Sequence, residues 1–166
     1  MSSLQRRIVV TGMGIVSPLG CGVQHVWQSL LAGKSGIRSL PASIIEDIAC
    51  KVAGQVPGIE EDPRHGFDPL SVIPAKERKK MDRFIEFALV AAQEALHQAN
   101  WFPQLQALKD RTATIIATGI GGFTQIAEAV QTTEHRGPRK LSPFTIPSFL
   151  ANLAAGHVSV SYTHLT

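Results

Sequence analysis

Two cysteines in 166 residues, Cys21 and Cys50, are too few for a disulfide framework. Neither has a second cysteine at metal-ligand spacing, and a reducing compartment is the default reading. There is one tyrosine, and the two tryptophans lie far apart. Sixteen basic residues against thirteen acidic ones leave a net charge of +3. The basic residues are not massed along one element with interleaved aromatics, so a pI near 9.1 does not argue for nucleic acid. No apolar run approaches membrane-spanning length. Arg6-Arg7 resembles a twin-arginine start only superficially, because Ile8–Thr11 is too short for a signal core before Gly12. These absences point to a cytoplasmic protein that neither crosses a membrane nor binds nucleic acid.

What is present is apolar mass, 44% of residues, and a mean hydropathy of +0.08, which suit one globular unit. Arg7–Gly20 reads RIVVTGMGIVSPLG, a β-branched run that closes on Thr-Gly-x-Gly. Thr112–Phe123, TATIIATGIGGF, repeats the idea. Both β-branched runs, Ile8–Val10 and Thr112–Thr118, read as strands buried in a layered α/β core, with their Gly-rich turns at one sheet edge.

Between them the pattern predicts a helix over Val23–Ala32 with Val23, Val26, Trp27, Leu30 and Leu31 on one side, stopped at Gly33. Ala49–Val56 reads as a hairpin or edge strand and Pro57–Pro69 as a loop. A long helix runs from Asp82 to Asn100. Its stripes Phe84/Ala88/Ala91/Ala95/Ala99 and Ile85/Leu89/Ala92/Leu96 make a wide apolar face whose alanines permit close approach. Further helices are predicted from Phe123 to His135 and over Ser148–Val160, with Leu150, Leu153, Ala154 and Val158 inward. Arg136, Arg139 and Lys140 form a small basic knot.

Spacing bears on three chemistries. Gly12-Met13-Gly14 follows a strand as a dinucleotide loop would, but Ser17 stands at the third glycine position and Pro18 where the helix should begin. No acidic residue lies about 20 positions on. Gly119–Gly122 fails likewise, so these glycines read as sites of close packing. Cys21 precedes a helix, as a nucleophile would, yet both cysteines read as inert. None of the six histidines is paired with another at helical ligand spacing.

VTGMGIVSPLG, KKMDRF, ATGIGG, SPFTIP and NLAAGHVS, in that order, resemble the N-terminal part of a β-ketoacyl-[acyl-carrier-protein] synthase, specifically the KAS II-like condensing enzymes of fatty acid synthesis. The resemblance runs from about Arg6 to about Ser159. It implies an α/β, thiolase-like layered α/β/α fold, most of the N-terminal half only. Residues 1–160 would form that truncated half-domain, and 161–166 (SYTHLT) a non-native or frayed tail. For the intact enzyme it implies a cysteine thiolate that accepts an acyl chain from acyl carrier protein. Two histidines would promote decarboxylation of malonyl-carrier protein, and the carbanion would attack the acyl thioester. No redox cofactor and no metal is implied.

That cysteine and both histidines would lie beyond residue 166, so no catalytic residue is assigned here and the fragment is expected to be inactive. What the resemblance carries over is binding. Ile120 matches a residue lining the acyl-chain pocket, and Phe144 one that reaches across a homodimer interface. Lys76, Lys79 and Lys80 match basic positions that meet the acidic helix of acyl carrier protein. The alternatives are a non-catalytic chain-length partner in a polyketide condensing heterodimer and, disfavoured on spacing, a nucleotide-binding domain.

Overall fold

The computed structural model describes residues 7–46 and 48–163. In chain order these form a tight hairpin, β1 (Val16–Ser17) and β2 (Gly20–Cys21), then α1 (Val23–Leu31), β3 (Ile37–Ser39), α2 (Ala42–Ile45) and β4 (Val52–Gly54). There follow α3 (Ala75–Arg78), α4 (Arg83–Ala99), α5 (Gln106–Lys109), α6 (Phe123–Arg136), α7 (Thr145–Phe149) and α8 (Leu153–Val158). β1 pairs antiparallel with β2, and β3 with β4 in the register Ile37↔Gly54. The expected hairpin at Ala49–Val56 is thus β3–β4.

Everything else is arranged on α4. Its boundaries are those its end residues dictate: Asp82 accepts a hydrogen bond from the Arg83 amide, and Asn100 closes the helix in the left-handed region at φ 49°. One face buries Ile85 (0% exposed) and Leu89 against Ile73, Met81 and Val158, with Ile116 and Leu153 packed beside them. Burying side chains of this kind stabilises by roughly 1.5–3 kcal/mol each.

The alanine face receives the N-terminal segment. A Cβ on Gly12 would overlap the Ala95 carbonyl and lie 2.9 Å from Ala99 N; one on Gly14 would overlap the Ala91 carbonyl and lie 2.9 Å from Ala95 N. These glycines let the backbone rest on the helix itself. Polar side chains of α4 complete the seat: Gln98 Oε1 accepts the Met13 amide at 2.6 Å and Glu94 Oε2 the Ile15 amide at 3.0 Å.

Three expectations need correction. First, Ile8–Val10 is not a buried strand. It runs outside any ladder among the described residues, with Ile8 98%, Val9 64% and Val10 80% exposed. A strand is buried only when neighbours pair with it and layers cover it, and here α4 supplies one covering layer from Gly12 onward. Thr112–Thr118 is likewise outside any ladder. Its residues alternate, Ile116 turned to the core and Ile115 91% exposed, so it has the strand period with only one face covered.

Second, α1 has the predicted length but not the predicted face. Val26 and Ser29 are buried while Trp27, Leu30 and Leu31 are exposed. Third, the helix expected over Ser148–Val160 is broken into α7 and α8, with Leu150 extended and exposed between them. The Ser148 carbonyl accepts the Asp82 amide at 3.0 Å, and the Ser148 hydroxyl donates to the Thr145 carbonyl at 2.7 Å. With its acceptor committed outside the helix, residue 148 cannot pass the ladder on. Ala154 and Val158 are inward as expected. Ser159–Thr163 continues as a π-turn. Of the tail assigned to 161–166, the last three residues lie outside the described set, as do residues 1–6.

Candidate functional site

The run PAKERKKMDRF (74–84) folds into α3, a turn, and the start of α4, and each residue is given a different task. Met81 joins the core. Arg78 turns inward: its Nε donates to Glu86 Oε1 at 2.6 Å and its Nη2 to Oε2 at 3.4 Å, with the Glu86 side chain only 8% exposed. Arg83 lies over the Phe67 and Phe87 rings, 5.7 and 5.2 Å from their centroids, and donates to the Val56 carbonyl.

Asp82 is buried (7% exposed) and serves two helices at once. One carboxylate oxygen accepts from Arg83 at the head of α4, and the other accepts the Gln125 amide at the head of α6 at 3.1 Å. Two helix N-termini thus converge on one carboxylate, where both macrodipoles favour its charge. Through its own amide Asp82 also holds α7. Phe84 lies under Gly121, where a Cβ would come within 2.7 Å of the ring. The run 74–84 therefore locks together α4, α6 and α7, and Ile120 and Phe144 lie at the heads of the last two.

The three lysines do not share one environment. Lys76 and Lys79 are exposed, and neither enters an ion pair among the described residues. Lys80 is half-buried: its Nζ donates to both Glu77 oxygens at 2.7 and 2.8 Å and sits 5.4 Å from the centroid of Phe144. The Lys80 hydrogen bond holds the Glu77 carboxyl below the usual carboxylate range. So the structure joins Lys80 to Phe144 directly. Ile120 tips the Gly119–Gly122 turn and is 74% exposed; that turn is clamped by Phe84 on one side and Phe149 on the other. Phe144 is 44% exposed at the head of α7. Beside these residues α6 and α7 border an open groove of about 410 Å³, lined by Ile126, Ala129, Val130, Leu141, Ile146 and Phe149.

A second polar cluster escaped sequence reasoning. His25 on α1 and His65 in the 57–67 loop stack face to face, centroids 3.7 Å apart and planes within 10°. Forty residues separate them, and no local spacing announces the pair. Glu94 Oε1 caps α1 from mid-α4 by accepting the Val23 amide at 2.7 Å. Burial, then the nearby Glu94 and Asp62 carboxylates, push the Cys21 thiol up from its ordinary pKa, the opposite of what a nucleophile needs. Cys50 is exposed. Among the described residues no group of three or more His, Cys, Asp or Glu could hold a metal ion. No helix among them is long and apolar enough to cross a membrane.

Known proteins fit this arrangement. The family model described as beta-ketoacyl synthase, N-terminal domain, matches residues 5–164. The 3-oxoacyl-[acyl-carrier-protein] synthase 2 of Rhizobium meliloti (strain 1021) is 41% identical over 158 residues, 95% of this chain and 37% of that protein. The mitochondrial 3-oxoacyl-[acyl-carrier-protein] synthase of Arabidopsis thaliana is 38% identical, over 95% of this chain and 36% of its own length. The crystal structure of a β-ketoacyl synthase from Burkholderia phymatum STM815 superposes with a TM-score of 0.73 at 23% identity, covering 94% of this chain and 36% of that one. The fold is thus the N-terminal portion of the thiolase-like layered α/β architecture, and the chain spans little more than a third of the length of the relatives it matches.

Proposed function

Since the chain belongs to the β-ketoacyl synthase family, we propose that it is the N-terminal part of a 3-oxoacyl-[acyl-carrier-protein] synthase II of fatty acid biosynthesis. The intact enzyme elongates acyl chains by decarboxylative Claisen condensation with malonyl-acyl carrier protein, in the cytoplasm and as a homodimer. The observation that carries this reading is the 41% identity to a synthase of that name along nearly the whole chain. Residues 1–166 contribute binding and architecture. Lys76 and Lys79, exposed and outside any ion pair among the described residues, suit an acidic carrier, which a cationic patch steers to the surface. Ile120 and Phe144, exposed at the ends of clamped turns, suit walls that are completed by the rest of the enzyme and by a second subunit. The uncovered faces of Ile8–Val10 and Ile115 suit strands that gain their neighbours from the same source.

By itself this chain is inactive in this reading, because no residue in it stands for the family's cysteine or its histidines. The test has two arms. In the first, the chain is incubated with radiolabelled acyl-carrier protein. No label is expected to transfer, and stable acylation of Cys21 or Cys50 overturns the reading of both. In the second, carrier binding is followed by calorimetry at low salt. The double variant Lys76→Glu/Lys79→Glu is expected to weaken binding roughly tenfold or more, with a shallower salt dependence. Equal affinity of the variant and the parent chain refutes the docking assignment.

A further inference from the structure

We propose that the His25–His65 stack is an acid-sensitive latch that fastens the 57–67 loop to the β1–β2 hairpin and α1. The exposed Arg38–Glu61 ion pair at 3.2 Å and the buried Phe67 hold the loop on either side of a third attachment, at the hairpin. The Cys21 amide donates to the His65 carbonyl at 2.7 Å, and the two imidazoles stack at 3.7 Å beside it. Gly20, at φ 112°, lets the chain pass under this contact, where a Cβ would lie 2.9 Å from the His65 carbonyl and 3.3 Å from the His25 ring. His25 Nε2 stands 2.9 Å from the Leu19 carbonyl, so that nitrogen carries a proton and fixes the ring over His65.

The charges around the stack decide how it responds to acid. From the loop itself, Asp62 accepts the Arg64 and His65 amides, both at 3.0 Å, and these bonds, with smaller help from the two imidazoles, hold its carboxyl below the usual range. It therefore stays ionised in mild acid. From β2 comes the Cys21 thiol, held protonated. From α4 comes Glu94, committed to the Val23 and Ile15 amides. Arg64 adds a positive charge on the loop. One imidazolium is balanced by Asp62. A second, stacked face to face on the first, is not, and like charges at that separation repel, the more so the less water screens them. Protonation of both rings thus drives them apart and releases the loop. Phe67 ends the loop and lies under Arg83, so release also loosens the wall behind the lysine-bearing turn.

Amide hydrogen exchange of the chain at pH 7.5 and 5.5, corrected for the intrinsic pH dependence of exchange, tests this. Protection at the Cys21 amide is expected to fall at least tenfold at pH 5.5, together with Gly66, while the α4 amides hold. His65→Phe keeps a flat ring in the stack without its charge, and His25→Gln keeps a donor for the Leu19 carbonyl; in both, Cys21 protection is expected to be independent of pH. Wild-type protection at Cys21 that changes less than twofold overturns the proposal. So does an unaltered pH response in whichever of the two variants folds.

Discussion

Replacing Asp82 gives the sharpest test of how this chain is held together. The carboxylate accepts one amide at the head of α4 and another at the head of α6, the latter 43 residues from Asp82 in sequence, and it is buried. Removing a capping acceptor costs about 1 kcal/mol, within 0.5–2. Asp82→Ala removes two and leaves the Gln125 amide facing an empty, water-poor site, so the loss is about 2–3 kcal/mol. With a urea slope near 2 kcal/mol per molar, that shifts the unfolding midpoint by about 1–1.5 M. Asp82→Asn separates the contributions. Its carbonyl can serve one helix, but its amide group then points a donor at the other, and about half of the stability should return. Circular dichroism at 222 nm in a urea series reads both. A shift below about 0.25 M for Asp82→Ala refutes the shared cap, because even a weak single cap reaches it. Full stability in Asp82→Asn refutes the requirement for two acceptors.

Two further outcomes follow from contacts already described. Gly14→Ala should destabilise by about 1–3 kcal/mol, as overpacking does, because its Cβ meets the Ala91 backbone; Gly119→Ala, where nothing lies within 4 Å, is the neutral control in the same thermal melts. With iodoacetamide at pH 8, Cys50 should alkylate well before Cys21, as read by mass spectrometry of tryptic peptides. A thiol pKa pushed upward means less thiolate at any pH below it, and faster labelling of Cys21 would contradict the surroundings found for it.

The local rules made much of this legible. Asp82 and Asn100 marked both ends of α4, Gly33 stopped α1, and the alanine stripe announced a close approach that Gly12 and Gly14 then make. Periodicity could not tell a strand that is buried from one that needs more chain to bury it, so Ile8–Val10 reads as core and is open. The break after α7 was invisible because its cause, the Asp82 amide on the Ser148 carbonyl, is a tertiary hydrogen bond. The same holds for the site. The charges of the run 74–84 were legible, but that Arg78 turns to Glu86 and Lys80 to Glu77, leaving Lys76 and Lys79 outward, depends on side-chain partners no spacing rule fixes. The His25–His65 pair lies beyond any local pattern.

The seat of the N-terminal segment on α4 has a metric consequence. Gly12 and Gly14, two residues apart, meet α4 at Ala95 and Ala91, four apart; Met13 and Ile15 meet it at Gln98 and Glu94, again four apart. Two extended residues advance about 6.6 Å and four helical residues about 6.0 Å. The two rulers agree to about 0.6 Å per division and drift by about half an extended residue after three. They therefore mesh over one or two divisions and no more, which is the stretch over which the contacts occur. The helix thus fixes the position of the extended segment along itself. Deleting one residue of α4 between Ala91 and Gln98 turns everything beyond it by about 100° and takes the polar seats off the strand, whereas a deletion in the 101–105 connection leaves the gauge intact.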